Sequence, residues 1–310
     1  MITFIDLFAG TGGIRLALDR CGAECVFTSE INKYAKLVYE NNFSGQVSGD
    51  ITKIKEEDIP AHDVLCAGFP CQSFSTVGNG KGFSDPRGTL FFEILRIAEY
   101  HKPKVLFLEN VKGLLSNNNG DTFETIKNSL SDLGYKVHWK VLNAIMFGVP
   151  RKRERVYIVA IRNDIKKDFH FPEGRLTDKK LKDIKEKNVN SSHFLSEARN
   201  EKIKESRRLK KGGFGYHLVQ DDELVFTLLR EKYEFNLVID ETEPINLDKR
   251  TNEINSEKVR RLTPTEYGRL QGFPDDFKMP ISNKRKYYMF GNSVAVPVIE
   301  AIFQEIKKIL

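Results

Sequence analysis

Short apolar runs alternate with segments of helical period from residue 1 to about 165, and few architectures accept that alternation. A parallel strand pair needs a long crossover, usually a helix, and a sheet built this way has helices on both faces. Strands are expected near residues 2–8, 24–30, 63–68, 105–110, 137–143 and 155–161. Helices are expected near 13–21, 33–42, 90–101 and 123–133. The pattern predicts an α/β fold around a mainly parallel, doubly covered sheet.

The pattern breaks at Phe171-Pro172-Glu173-Gly174, where the chain turns Lys-rich and weakly periodic, so a second, smaller domain is expected to begin there. Order returns near Arg260. Thr263-Pro264-Thr265-Glu266 reads as a capped helix start with Pro in its first turn, and Val296 to Leu310 reads as an amphipathic helix. The expected division is 1–171 plus 278–310 for the first domain and 172–277 for the second. With 310 residues the chain can bury a full core. Its net charge of +6 is a mild bias towards polyanions. Cys21, Cys25, Cys66 and Cys71 form neither a CxxC pair nor a metal-spaced cluster, so no disulfide framework or metal site is expected. There is no basic leader before the first strand and no apolar run of membrane-spanning length. A reducing cytoplasm is the expected location.

Five blocks carry chemistry. The loop Phe8-Ala9-Gly10-Thr11-Gly12-Gly13 joins the first strand to the first helix, where glycines let a ligand approach backbone N–H groups and the helix N-terminus. Glu30 follows the second strand, twenty residues after Gly10, where an acid commonly holds ribose hydroxyls. Gly68-Phe69-Pro70-Cys71-Gln72 puts a thiol on a Pro-braced turn just past an apolar strand, a placement suited to a nucleophile. Glu109 ends the run Val105-Leu106-Phe107-Leu108, at the sheet edge where α/β folds present site residues. Arg153 and Arg155 flank Glu154, and strand alternation would aim both at one face, able to meet one anion together.

In this order, with Gly291-Asn292-Ser293 near the end, the blocks resemble the cytosine-C5 DNA methyltransferases over nearly the whole chain. The resemblance implies a Rossmann-like S-adenosylmethionine-dependent domain with a smaller target-recognition domain. It implies that Phe8, Gly10, Gly12, Glu30, Ile31, Asp50, Ile51, Pro70, Asn292 and Ser293 serve the cofactor, Glu30 at the ribose and Asp50 near the adenine amino group. Cys71 would attack C6 of a flipped cytosine and Glu109 would protonate N3, while Arg153 and Arg155 hold the base and orient the carboxylate. Gln72, Ser75 and Arg87 would serve DNA, on a Gly-rich loop that closes over it. Two positions depart from the family pattern: Ile31, where an aromatic is frequent, and Arg151, where the motif usually begins with Gln.

In the second domain, Arg199 to Lys211 holds seven Lys/Arg against Glu201 and Glu205, a composition suited to a phosphate path through residues such as Arg207 and Lys210. The flanking Gly212-Gly213-Phe214-Gly215-Tyr216 and Asn236-Leu237-Val238-Ile239-Asp240 resemble the recognition region of bacterial enzymes whose sites have a CC...GG frame, with Tyr216 and Thr227 among the residues expected at DNA. The partner implied is double-stranded DNA, acted on by a monomer, with a cognate restriction nuclease working separately. A tRNA cytosine-5 methyltransferase is the alternative, but the Cys-Phe-Thr sequence that marks that branch is absent. A non-catalytic DNA-binding descendant would have lost Cys71, Glu109, Arg153 and Arg155, and all four stand.

Overall fold

A computed structural model describes residues 1–70, 90–209, 217–225, 236–242, 244–245 and 254–310, with backbone only for 206–209. Its strands and helices follow the periodicity closely. In the first part of the chain the strands are β1 (Thr3–Leu7), β2 (Glu24–Ser29), β3 (Val64–Gly68), β4 (Val105–Val111), β5 (Tyr135–Asn143) and β6 (Glu154–Arg162). The helices among them are α1 (Gly13–Arg20), α2 (Lys33–Asn42), α3 (Leu90–His101) and α4 (Asp121–Asp132).

These strands form one sheet in the order β2-β1-β3-β4-β6-β5. The β1/β2, β1/β3 and β3/β4 pairs are parallel, and β6 runs antiparallel to both β4 and β5. Ile5, Leu7, Leu65, Ala67, Leu106 and Leu108 alternate onto one face and join a core with Phe91, Ile94 and Ile97 of α3 and Phe123, Ile126 and Leu130 of α4. Strand alternation sends Asp6 and Cys66 to the opposite face. There α1 packs with the last helix, α8 (Val296–Ile309), through Arg20 to Glu300 at 2.9 Å and the Lys307 ammonium on the Cys21 carbonyl at 2.6 Å.

The chain divides into two compact units, Met1–Asn143 with Glu154–Gly174 and Val294–Leu310, and Ala144–Arg153 with Arg175–Ser293. The longer segment of the second unit starts at Arg175, and the composition break lies at Phe171-Pro172-Glu173-Gly174. Two segments differ from the sequence expectation. Residues 144–153 group with the second unit, where the Lys152 N–H donates to the Val225 carbonyl at 3.1 Å. Residues 278–293 do so too, because the aromatic rings of Tyr287 and Phe290 pack on Tyr267 and Phe273, with centroids 4.8 and 5.2 Å apart.

The second unit carries β7 (His217–Val219), β8 (Asn236–Ile239) and β9 (Val259–Arg261) in one sheet, with α5 (Glu197–Leu209), α6 (Pro264–Arg269) and α7 (Asn283–Asn292). The capped start expected at Thr263 is present: its hydroxyl accepts from the Glu266 N–H and Glu266 reaches back to the Thr263 N–H. Glu266 also holds Arg260 at 2.7 Å, and Asp240 holds the same guanidinium at 2.5 Å, all three groups fully or almost fully buried. Such a triad fixes the end of β8 to β9 and α6, since removing any member leaves a buried charge uncompensated. Lys204 of the basic α5 stretch is engaged by Glu201 and Glu257 at 2.8 and 2.7 Å.

Candidate active site at the carboxyl edge of the sheet

In the first unit the strand order places a topological switch point between β1 and β3, where α/β sheets leave a crevice beyond the strand ends. The segments leaving that edge are the chemistry-bearing ones. Glu30 follows β2, Phe8 to Gly12 follow β1, Gly68-Phe69-Pro70 end β3, and Glu109 lies near the end of β4. At about 4.8 Å per strand step, Glu30 and Glu109 stand three strands apart, roughly 15 Å.

The loop after β1 is wound in a conformation that needs its sequence. Phe8 and Gly10 both have φ of 56° and Gly12 has φ of 84°, the left-handed region. At Gly12 a Cβ would also lie 2.3 Å from the Phe43 ring, so a side chain there is excluded twice. Glu30 is folded onto the loop, accepting from the Gly10 N–H at 2.8 Å and the Asn32 N–H at 2.7 Å. The Glu30 N–H donates to the Ser48 carbonyl, which brings the Gly49-Asp50 turn alongside. Asp50 caps the short helical turn Ile51–Lys53 through Thr52, and Arg96 of α3 donates to the carbonyls of Ile51 and Ile54 at 3.2 and 2.9 Å.

These residues fit a nucleoside cofactor. Ile31 is 74% exposed beside the acid, an apolar surface of the kind an adenine ring covers. Among the described residues nothing lies within 4 Å of a Cβ built on Gly10 or Gly49, so a ligand has room to approach at both. Asn292 and Ser293 belong to the second unit, Asn292 exposed at the end of α7.

Glu109 is paired across the sheet with Gly68 on one side and Tyr157 on the other. Its side chain is 12% exposed and faces Arg155, with 3.3 Å between the guanidinium Nε and Oε1. Asn110, buried next to it, donates from Nδ2 to the Phe69 carbonyl at 2.9 Å. That bond ties the strand carrying Glu109 to the turn that leads through exposed Pro70 into Cys71. Nothing in the sequence singles out Asn110, because an amide announces no partner.

Arg155 is in β6 and holds Glu109, whereas Arg153 precedes the strand and donates to the carbonyls of Gly291 and Ser293 at 3.3 and 2.5 Å. Arg151 is fully buried in the second unit, in a parallel bridge with Val225. Cys71, Gln72, Ser75, Arg87, Lys210, Tyr216 and Thr227 lie outside the described residues, as does the Arg207 side chain.

Asp6 was legible only as a strand residue, yet it is fully buried with neither carboxylate oxygen hydrogen-bonded among the described residues. Burial pushes its pKa up to about 8, against the opposing pull of Arg15, which Asp19 already holds at 2.7 Å. The native state therefore keeps a proton that the unfolded chain loses above about 4. This contribution to stability is full below that value and is lost as pH rises towards 8. Thermal midpoints measured from pH 5 to 9 should fall across that window, and Asp6→Asn should remove the fall. An equal slope in the variant would assign it to other groups.

A family model for C-5 cytosine-specific DNA methylase matches residues 2–308. The type II methyltransferase M.HhaI of Haemophilus parahaemolyticus is 41% identical over 97% of this chain and 93% of its own length. The type II methyltransferase M.HpaII of Haemophilus parainfluenzae is 44% identical over 98% of the chain and 88% of its own length. Among solved structures, the Entamoeba histolytica methyltransferase EhMeth superposes with a TM-score of 0.79 at 24% identity, covering 99% of this chain and 98% of its own. Spodoptera frugiperda DNMT2, in a mutant form, gives 0.78 at 21%, covering 99% and 100%. At those identities the two structures bear on the fold alone.

Proposed function

The chain belongs to the C-5 cytosine-specific DNA methylases and is a DNA cytosine-5 methyltransferase of the restriction-modification type, and we propose that it methylates the inner cytosine of CCGG, protecting that site from a nuclease. What supports the chemistry is the shared carboxyl edge: a cofactor-type loop after β1, Glu109 beside Arg155 on β4 and β6, and between them the β3 turn that runs into Cys71.

Cytosine C5 is a weak nucleophile until a group adds at C6 and a proton reaches N3. In this proposal the Cys71 thiolate forms the bond to C6, and Glu109 in its acid form donates the proton to N3. Arg155 fixes the direction of the Glu109 carboxyl group, with donors left over for the base. C5 then takes the methyl group, a base such as solvent water removes the C5 proton, the sulfur–C6 bond breaks to release the Cys71 thiolate, and the N3 proton returns to Glu109. S-adenosylmethionine, when bound, supplies an electrophilic methyl group. Phe8, Gly10 and Gly12 would hold it by backbone, Glu30 at the ribose, and Ile31, Asp50 and Ile51 at the adenine. The base must leave the duplex to reach a thiol, at a cost of a few kcal/mol. Gln72, Ser75 and Arg87 are proposed to steady the opened duplex, and Arg207 and Lys210 its phosphates.

The site CCGG rests on the resemblance of Gly213-Phe214-Gly215-Tyr216 and Asn236-Leu237-Val238-Ile239-Asp240 to the recognition region of enzymes with that frame. Plasmid treated with the protein and cofactor should resist nucleases that cut at CCGG and remain sensitive to those that cut at GGCC or GCGC. Protection confined to either of the latter would overturn the site assignment and leave the enzyme class standing.

A further inference from the structure

Helix α7 ends at Asn292 without a glycine cap, since Ser293 continues in an extended conformation with φ of −71° and ψ of 164°. The last carbonyls of a helix have no partner within it and lie at the negative end of its dipole, so they need donors from elsewhere, best a cation. Two side chains supply them. Gln271, fully buried just after α6, donates through Nε2 to the carbonyls of Phe290 and Ser293 at 2.5 and 3.3 Å. Arg153, 4% exposed, donates to those of Gly291 and Ser293. The carbonyls of Phe290, Gly291 and Ser293 are thereby held from two sides, and that of Ser293 is shared. Arg153 and Ser293 are also the last residues of the second unit before the chain passes back into the first.

We propose that Arg153 and Gln271 are positioning residues that clamp the Gly291-Asn292-Ser293 turn for the cofactor, so that Arg153 acts on S-adenosylmethionine binding. The inference rests on the cofactor role of Asn292 and Ser293 that the resemblance implies and that belongs with the proposed function. It divides the labour of the two arginines: Arg155 serves the carboxyl group that does the chemistry, and Arg153 serves the turn.

The test is S-adenosylmethionine affinity by calorimetry, with kcat and KM for both substrates, on Gln271→Met, Arg153→Lys, Arg153→Met, Arg155→Lys and Asn292→Ala. Gln271→Met and Arg153→Met leave buried turn carbonyls without their donors and should weaken cofactor binding by roughly tenfold or more. At saturating cofactor, kcat and KM for DNA should stay near the parent values. Arg153→Lys keeps one donor and the charge, and should recover part of the affinity. Arg155→Lys should show the reverse split, with kcat reduced and cofactor affinity kept. An unchanged affinity in both Gln271→Met and Arg153→Met, or a fall in kcat without a fall in affinity, overturns the proposal. Asn292→Ala then separates the failures. Weakened binding there means that the turn meets the cofactor without needing the clamp, and unchanged binding means that the turn is not a cofactor element.

Discussion

Cys71→Ala is expected to abolish methyl transfer and to form no covalent complex with duplex containing 5-fluorocytosine at the target position. The parent protein should form one that survives denaturation, because fluorine does not leave C5 as the proton does and the sulfur–C6 bond persists. A substituted alanine has no lone pair to offer C6, so no residual route of the same kind exists. Binding of S-adenosylmethionine to Cys71→Ala should remain, since the loop after β1 and Glu30 are anchored by their own hydrogen bonds. Methylation near the parent rate in this variant would remove the nucleophile from the account.

Glu109→Gln is expected to be the next largest loss. The amide keeps the volume beside Gly68 and still presents an oxygen to Arg155, so fold and cofactor affinity should hold. It has no acidic proton for N3, and general acid catalysis is commonly worth about 10² to 10⁴ in rate. Single-turnover measurement at saturating cofactor isolates that step from product release. A loss smaller than about fivefold would count against Glu109 as the proton donor.

The features legible in the sequence are those whose cause is local. The strand ending at Gly68, the strand ending past Glu109 and the glycine loop after β1 follow from apolar period and turn chemistry within a few residues. Glu30 was singled out by counting from the loop, and in the structure its carboxylate accepts from the Gly10 N–H, a contact that counting does not name. Arg153 is the contrary case. Alternation along a strand suggested a shared face with Arg155, but the strand starts at Glu154, and Arg153 finds its partners 138 and 140 residues further on. No local pattern encodes such a pairing. Gln271 was invisible for the same reason, its acceptors being main-chain carbonyls 19 and 22 residues away. The extent of the second unit was misjudged at 278–293 because the Tyr267–Tyr287 and Phe273–Phe290 ring contacts join α6 to α7 across a turn that reads in sequence as a boundary.

The central claim, that this chain places a methyl group on C5 of cytosine within a short DNA palindrome, is tested most directly by mapping its product. Purified protein would be incubated with S-adenosylmethionine and either unmethylated plasmid or a tRNA pool, and methylated bases would be located at single-base resolution and identified by mass. The account predicts 5-methylcytosine in the plasmid, confined to one palindromic sequence on both strands, with the tRNA unmodified. Methyl groups on tRNA alone, or on DNA at any position other than cytosine C5, would contradict it.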